Sequence, residues 1–161
     1  MAIKAGEKMP SGTFKTKTKD GIQDLTTDQL FKGKTVVLFS VPGAFTPTCD
    51  AKHLPGYIDK AAAIKAKGVD TIAVTAVNDV FVMNQWSKST GADGKIEFLA
   101  DGNGEFAKAI DMAFDGSGAG LGTRSKRYSM LVDDGVVKSV NIEDAPGKCD
   151  ISGGQTLLGQ L

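Results

Sequence analysis

The central apolar run of this chain, Val36-Val37-Leu38-Phe39, has the length and β-branched character of a buried strand and predicts one from Val36 to Val41. From about Asp50 to Lys67 an Ala-, Lys- and Ile-rich run predicts a long helix that stops at Gly68. A second apolar strand is expected from Val69 to Val77 and a second helix from about Asp79 to Lys88. Strand, helix, strand, helix with short connections argues for parallel strands joined by right-handed crossovers. Upstream, Thr13 to Thr18 alternate, Asp20-Gly21 turn the chain, and Ile22 to Leu25 return it as a short β element. A helical turn from Thr26 to Phe31 ends at Gly33.

Downstream, Gly91 to Gly94 read as loop, Ile96 to Leu99 as a short strand and Asn103 to Met112 as helical. The glycine-rich stretch from Asp115 to Gly122 lacks the Lys-Ser/Thr of a phosphate-binding loop and reads as a flexible connector. Tyr128–Val132 and Val136–Asn141 flank Asp133-Asp134-Gly135 as an antiparallel hairpin, and a last helix is expected from near Ser152 to Leu161.

Composition narrows the function more than the fold. The 161 residues are 41% hydrophobic and 24% charged, an ordinary globular balance for one domain spanning 1–161. Nineteen basic and nineteen acidic residues cancel, so no global field recruits nucleic acid or an anionic membrane. No stretch reaches the ~20 apolar residues of a membrane span. The start Met1-Ala2-Ile3-Lys4 shows neither a signal-peptide h-region nor a transit-peptide bias. Two cysteines 100 positions apart do not make a secreted disulfide framework, and a cytoplasmic location is expected. Two cysteines and one histidine are a poor ligand set for a structural zinc. No metal or other cofactor is expected.

The chemistry concentrates where the first strand meets the long helix, in Val41 to Cys49. A cysteine at a helix start faces backbone N–H groups without intrahelical partners and the positive end of the helix dipole, and both favour the nucleophilic thiolate. The hydroxyl of Thr46, three residues earlier, can donate to that sulfur and accept from a substrate, while Pro42 and Pro47 stiffen the loop. A free cysteine is more often a small buried hydrophobe. Its position behind this loop argues for chemistry instead. His53, four residues on, shares the helix face of Cys49 and reads as structural or site-lining, not catalytic.

The spacing of Pro42, Thr46 and Cys49 (P-x-x-x-T-x-x-C) resembles the signature of the peroxiredoxins, cysteine-dependent peroxidases on a thioredoxin fold. His53-Leu54-Pro55-Gly56, Ala76 to Val82 and Arg127 to Val132 resemble the type II (peroxiredoxin-5) subfamily, and the similarity runs from about Ile3 to Leu161. The resemblance implies an α/β thioredoxin fold with an N-terminal β extension and a central mixed sheet flanked by helices. It implies a thiol-specific peroxidase that reduces hydrogen peroxide and organic hydroperoxides to water and alcohols through a sulfenic acid, in antioxidant defence. Cys49 would be the peroxidatic thiolate, Thr46 would orient the peroxide, Pro42 would shield the sulfur, and backbone N–H groups near Thr48 and Cys49 would hold the peroxide oxygens. Arg127 would activate the thiolate and donate to the peroxide, with Arg124 supporting it. Cys149 is a candidate resolving cysteine, directly after a segment, Ala145 to Lys148, that reads as mobile. External reduction by glutathione and glutaredoxin is favoured over thioredoxin. A homodimer joined through Phe45 and Phe81 is expected.

Two other classes stay open. A redox sensor would use the same thiol without turnover. A disulfide oxidoreductase is disfavoured because Thr46 stands where thioredoxin-like proteins carry the first cysteine of Cys-x-x-Cys.

Overall fold

The alternation near the N-terminus forms β1 (Thr13–Thr18) and β2 (Gly21–Thr26), paired antiparallel from Thr13 opposite Thr26 to Thr18 opposite Gly21. Thr26 then starts α1 (Thr27–Phe31) with a reciprocal cap: its hydroxyl accepts from the Gln29 backbone, and the Gln29 side chain accepts from the Thr26 backbone. The apolar run becomes β3 (Thr35–Ser40), buried from Val36 onward. After the cysteine loop come α2 (Leu54–Ala66), β4 (Thr71–Ala76), α3 (Val80–Thr90) and β5 (Glu97–Ala100). Asp79 caps α3 by accepting from Val82 N at 2.8 Å. The chain continues through α4 (Glu105–Ala109), β6 (Ala113–Asp115), β7 (Thr123–Ser125), β8 (Tyr128–Asp133), β9 (Val136–Ile142) and α5 (Gly154–Leu158). This computed structural model describes residues 2–92 and 94–161; of the loop expected at 91–94, residue 93 lies outside them.

Seven strands form one mixed sheet in the order β2-β1-β5-β4-β3-β8-β9. β3, β4 and β5 run parallel, as the helical crossovers require, while β8 runs antiparallel to β3 and β9 antiparallel to β8. The fold is thus the expected thioredoxin-like α/β arrangement. Side chains of β3 alternate between two apolar layers. Val37 and Phe39 pack with Leu54, Tyr57, Met83, Trp86 and Leu157, whereas Val36 and Leu38 pack with Phe31, Phe106 and Met130. Phe39 lies flat on Tyr57, ring centres 3.9 Å apart, and so binds β3 to α2.

Three elements differ from the sequence expectation. The helix expected over 103–112 is confined to Glu105–Ala109, because Asp101 accepts from the backbone of Phe106 and Ala107 and anchors a short helix. The glycine-rich stretch is not a free connector. It closes a separate two-stranded sheet of β6 and β7, with a tight turn at Ser117–Ala119 and Gly116 N donating to Gly122 O at 2.6 Å. The last helix is limited to Gly154–Leu158.

Phe39→Ala is expected to lower unfolding free energy by about 3–5 kcal/mol, since a fully buried ring and its stacking partner are both lost. Urea denaturation of the variant checks this.

Candidate active site

β3 ends at Ser40, and the chain leaves the sheet where β3 has a parallel neighbour on one side and an antiparallel one on the other. Crevices beyond the C-terminal ends of parallel strands are where open α/β sheets place their sites. The loop is held from several directions. Val41 N donates to Thr75 O at 3.2 Å, and Ala44 N donates to the Asn78 side chain at 2.9 Å. Phe45 sits at φ +64°, a left-handed conformation uncommon for a non-glycine residue. Pro47 then opens the helix, where its missing N–H costs nothing.

The first turn is wide. Cys49–His53 forms a π-type turn, closed by Leu54 N on Cys49 O, before α2 proper begins. The sequence expectation of an α-helix from Asp50 is corrected here. Pro55 explains the difference: it lacks the N–H that would bond Ala51 in a regular helix, so the turn before it gains a residue. Asp50 accepts from the indole of the fully buried Trp86 at 2.8 Å and ties the turn to α3.

Cys49 is fully buried, and Arg127, which precedes β8, is 2% exposed. Arg127 Nη2 donates to Cys49 Sγ at 3.0 Å. Its Nη1 donates to His53 Nδ1 at 2.8 Å, and Nε and Nη2 both donate to Pro146 O, at 3.2 and 3.0 Å. Four of the five guanidinium N–H groups are thereby committed, leaving one on Nη1. A buried guanidinium thus meets the sulfur directly, while a carbonyl and an imidazole take three of its other donors. Arginine only donates, so His53 presents an unprotonated Nδ1 and carries its proton on Nε2, which donates to Ser152 O at 3.0 Å. Burial first, then the charge of Arg127, pushes the His53 pKa from 6.5 down to about 3.

The other residues expected at the site take definite places. Pro42 is buried, and Arg124 Nη1 approaches its carbonyl at 3.4 Å while Nε donates to Leu121 O. Arg124 also packs so close to Gly43 that a Cβ there would meet Nη1 at 2.9 Å. It braces the loop and does not bond the sulfur. The Thr46 hydroxyl donates to Gly43 O at 2.7 Å. Its single proton is thus committed, and the expected donation to Cys49 is corrected: the hydroxyl is left as an acceptor only. Cys149 is a free thiol, 6% exposed, and burial raises its pKa, opposed by Arg127. The segment before it, read as mobile from the sequence, is fastened by hydrogen bonds. Arg127 holds the carbonyl of Pro146, and Thr48 Oγ1 donates to that of Gly147 at 3.0 Å.

Sequence reasoning read His53 as structural or site-lining, which its bonds to Arg127 and Ser152 bear out, and missed Ser152 and Glu143. The histidine gave a usable signal, as the chain's single imidazole on the helix face of Cys49. The other two lie about a hundred residues away and gave none. Among the described residues, no group of three or more His, Cys, Asp or Glu is placed to hold a metal.

A buried cysteine at a helix start, an arginine on its sulfur and a Pro/Thr loop on the sheet's carboxyl edge define a thiol-dependent redox site. The chain belongs to the redoxin family, whose model matches residues 4–158, and within it to the peroxiredoxins, a family of thiol peroxidases. It is 46% identical to the hybrid peroxiredoxin hyPrx5 of Haemophilus influenzae over 100% of this chain, and 44% identical to the chloroplastic peroxiredoxin-2E of Arabidopsis thaliana over 89% of it. It spans 67% and 63% of the lengths of those two relatives. A crystal structure of reduced Prx3 from Vibrio vulnificus in complex with H2O2 superposes with a TM-score of 0.94 at 46% identity, covering 98% of each chain.

Stability is expected to fall between pH 6.5 and about 3. The unfolded chain protonates His53 near 6.5 and the fold only near 3, so in that window the unfolded state binds more protons. The slope from His53 is at most about 1.4 kcal/mol per pH unit. The lowered carboxyl of Glu143 adds to it at the acid end, and the raised carboxyl of Asp101 opposes it. Urea unfolding of wild type and His53→Asn across this range isolates the histidine contribution, because the other two groups are common to both.

Proposed function

We propose that the protein is a thiol peroxidase in which Cys49 reduces hydrogen peroxide and organic hydroperoxides. The observation that carries this reading is the 3.0 Å contact between the Arg127 guanidinium and Cys49 Sγ at the head of a helix. The thiolate attacks the distal peroxide oxygen. An S–O bond forms, the O–O bond breaks, two electrons leave sulfur, and the departing hydroxide or alkoxide takes a proton. Charge developing on that oxygen is met by the free Nη1 hydrogen of Arg127 and by the backbone N–H groups of Thr48 and Cys49, which head the helix. Thr46 Oγ1 accepts from the peroxide, and Pro42 covers the sulfur. The relative from Vibrio vulnificus, described in complex with H2O2, supports this choice of substrate.

A sulfenic acid on Cys49 needs a second thiol. Cys149 is a poor candidate, because burial holds it as a thiol and three hydrogen bonds pin the segment before it. The reductant in this reading is an external thiol, glutathione through glutaredoxin. Phe45 and Phe81, 47% and 60% exposed on neighbouring elements, suit a second copy of the chain, so the working form is a homodimer. Sedimentation showing only a 16.8 kDa species at micromolar concentration argues against that.

Cys49→Ser is expected to abolish peroxide consumption with the fold intact. Arg127→Lys should lose at least tenfold in kcat/KM, since a point charge cannot serve sulfur, imidazole and carbonyl at once. Arg124→Lys should lose less, and the reverse ranking rejects the assignment of Arg127. Cys149→Ser should sustain wild-type turnover with glutathione and glutaredoxin. An intramolecular Cys49–Cys149 disulfide in peroxide-treated protein, with turnover lost in Cys149→Ser, makes Cys149 the resolving residue instead. A single oxidation without turnover under every reductant marks a sensor.

A further inference from the structure

Glu143, just beyond β9, is 7% exposed, and one of its carboxylate oxygens carries most of a buried network. Oε2 accepts from Asp150 N at 2.7 Å, Ser152 N at 2.7 Å and Ser152 Oγ at 2.6 Å. Burial raises the carboxyl pKa, but these three donors outweigh it and hold the group below the usual range. Oε1 is buried with no partner. A buried carboxylate with an orphaned oxygen is costly, and stability alone would be served as well by a neutral side chain.

The contacts form a closed circuit. Glu143 N donates to the backbone oxygen of Arg127 at 3.0 Å. The Glu143 side chain grips Ser152, which is fully buried. The carbonyl of Ser152 accepts hydrogen bonds from Tyr57 Oη at 2.8 Å and His53 Nε2 at 3.0 Å. His53 Nδ1 in turn accepts from the Arg127 side chain, whose Nη2 touches Cys49.

We propose that Glu143 is a positioning residue for the peroxidase reaction, acting through Ser152 and the His53 tautomer on the aim of Arg127 at Cys49. The chemistry is that of a fixed proton. His53 can accept from Arg127 only while its proton sits on Nε2, and that tautomer needs an acceptor at the place where Glu143 holds the Ser152 carbonyl. Release of Ser152 orphans the Nε2 proton. The alternative tautomer then sets an Nδ1–H against Arg127 Nη1, donor against donor, and the guanidinium turns from the sulfur. A carboxylate suits the task because it only accepts, and its charge strengthens three convergent bonds.

This inference rests on the peroxidase reading, and its test separates the two. The full chain is compared as wild type, Glu143→Ala, Glu143→Gln, His53→Leu and the Glu143→Ala/His53→Leu double variant. Three readouts are used: single-turnover oxidation of Cys49 by hydrogen peroxide, alkylation of Cys49 by iodoacetamide mapped by peptide mass, and imidazole 15N shifts, which the sole histidine makes unambiguous. Glu143→Ala is expected to slow peroxide oxidation by about tenfold to a hundredfold, to slow alkylation, and to move the 15N signals away from the Nε2–H tautomer. Glu143→Gln, whose amide oxygen can accept the same donors, keeps most of the rate and the tautomer. In the His53→Leu background, Glu143→Ala adds no further loss, because both act through one route. Ser152→Ala, which removes only the Oγ donor, loses part of the rate, so an unchanged rate there overturns the proposal even if Glu143→Ala does not fold. Wild-type rates and tautomer in a folded Glu143→Ala, or losses that add in the double variant, also overturn it. If wild type oxidises no faster than a free thiol, the peroxidase reading fails, and alkylation and 15N shifts still decide the part played by Glu143.

Discussion

A guanidinium cannot be neutralised at physiological pH, so burying Arg127 at 2% exposure obliges the protein to answer most of its donors or lose several kcal/mol. That obligation organises this end of the molecule. Sulfur answers one donor, an imidazole another, and the Pro146 carbonyl two. Each partner needs its own support: the wide turn at Cys49–His53 brings sulfur and imidazole to the same side, and the segment after β9 brings the carbonyl. The same arrangement that keeps the cation from being orphaned places a positive charge 3.0 Å from the Cys49 sulfur. Stability and reactivity therefore draw on one set of contacts, and substitutions here are expected to move both.

Much of the framework was legible because its signals are local. The apolar run at Val36, the turn at Asp133-Asp134-Gly135 and the Thr26/Gln29 cap each act within a few residues, and each element formed where expected. The pairing of Cys49 with Arg127, 78 positions apart, was legible only through the family pattern, since no periodicity links the two. What escaped was set by geometry between distant segments. The wide turn depends on what Pro55 withholds from the preceding residues. The direction of the Thr46 proton depends on where the Gly43 carbonyl lies, and the pinning of residues 145–148 depends on Arg127 and Thr48. The small β6–β7 sheet was too short to show an alternation.

The site is closed in this state. Cys49 is fully buried, and its turn is fastened to α3 by Trp86–Asp50, to the loop after β9 by Thr48–Gly147, and to the fold's interior by His53–Ser152. Each fastening contributes about 1 kcal/mol, so opening the turn is uphill by only a few, within the range of local unfolding that proteins sample without losing their fold.

The bond between Trp86 and Asp50 gives that opening a built-in optical signal. The chain has one tryptophan, and its indole N–H is tied to the residue that follows the nucleophile, with the Phe45 ring 6.3 Å away. Unwinding the Cys49 turn removes the carboxylate from the indole and lets water reach it, which shifts the emission of the only indole in the molecule. The protein thus carries its own fluorophore beside the Cys49 turn, and no label is needed to follow that turn.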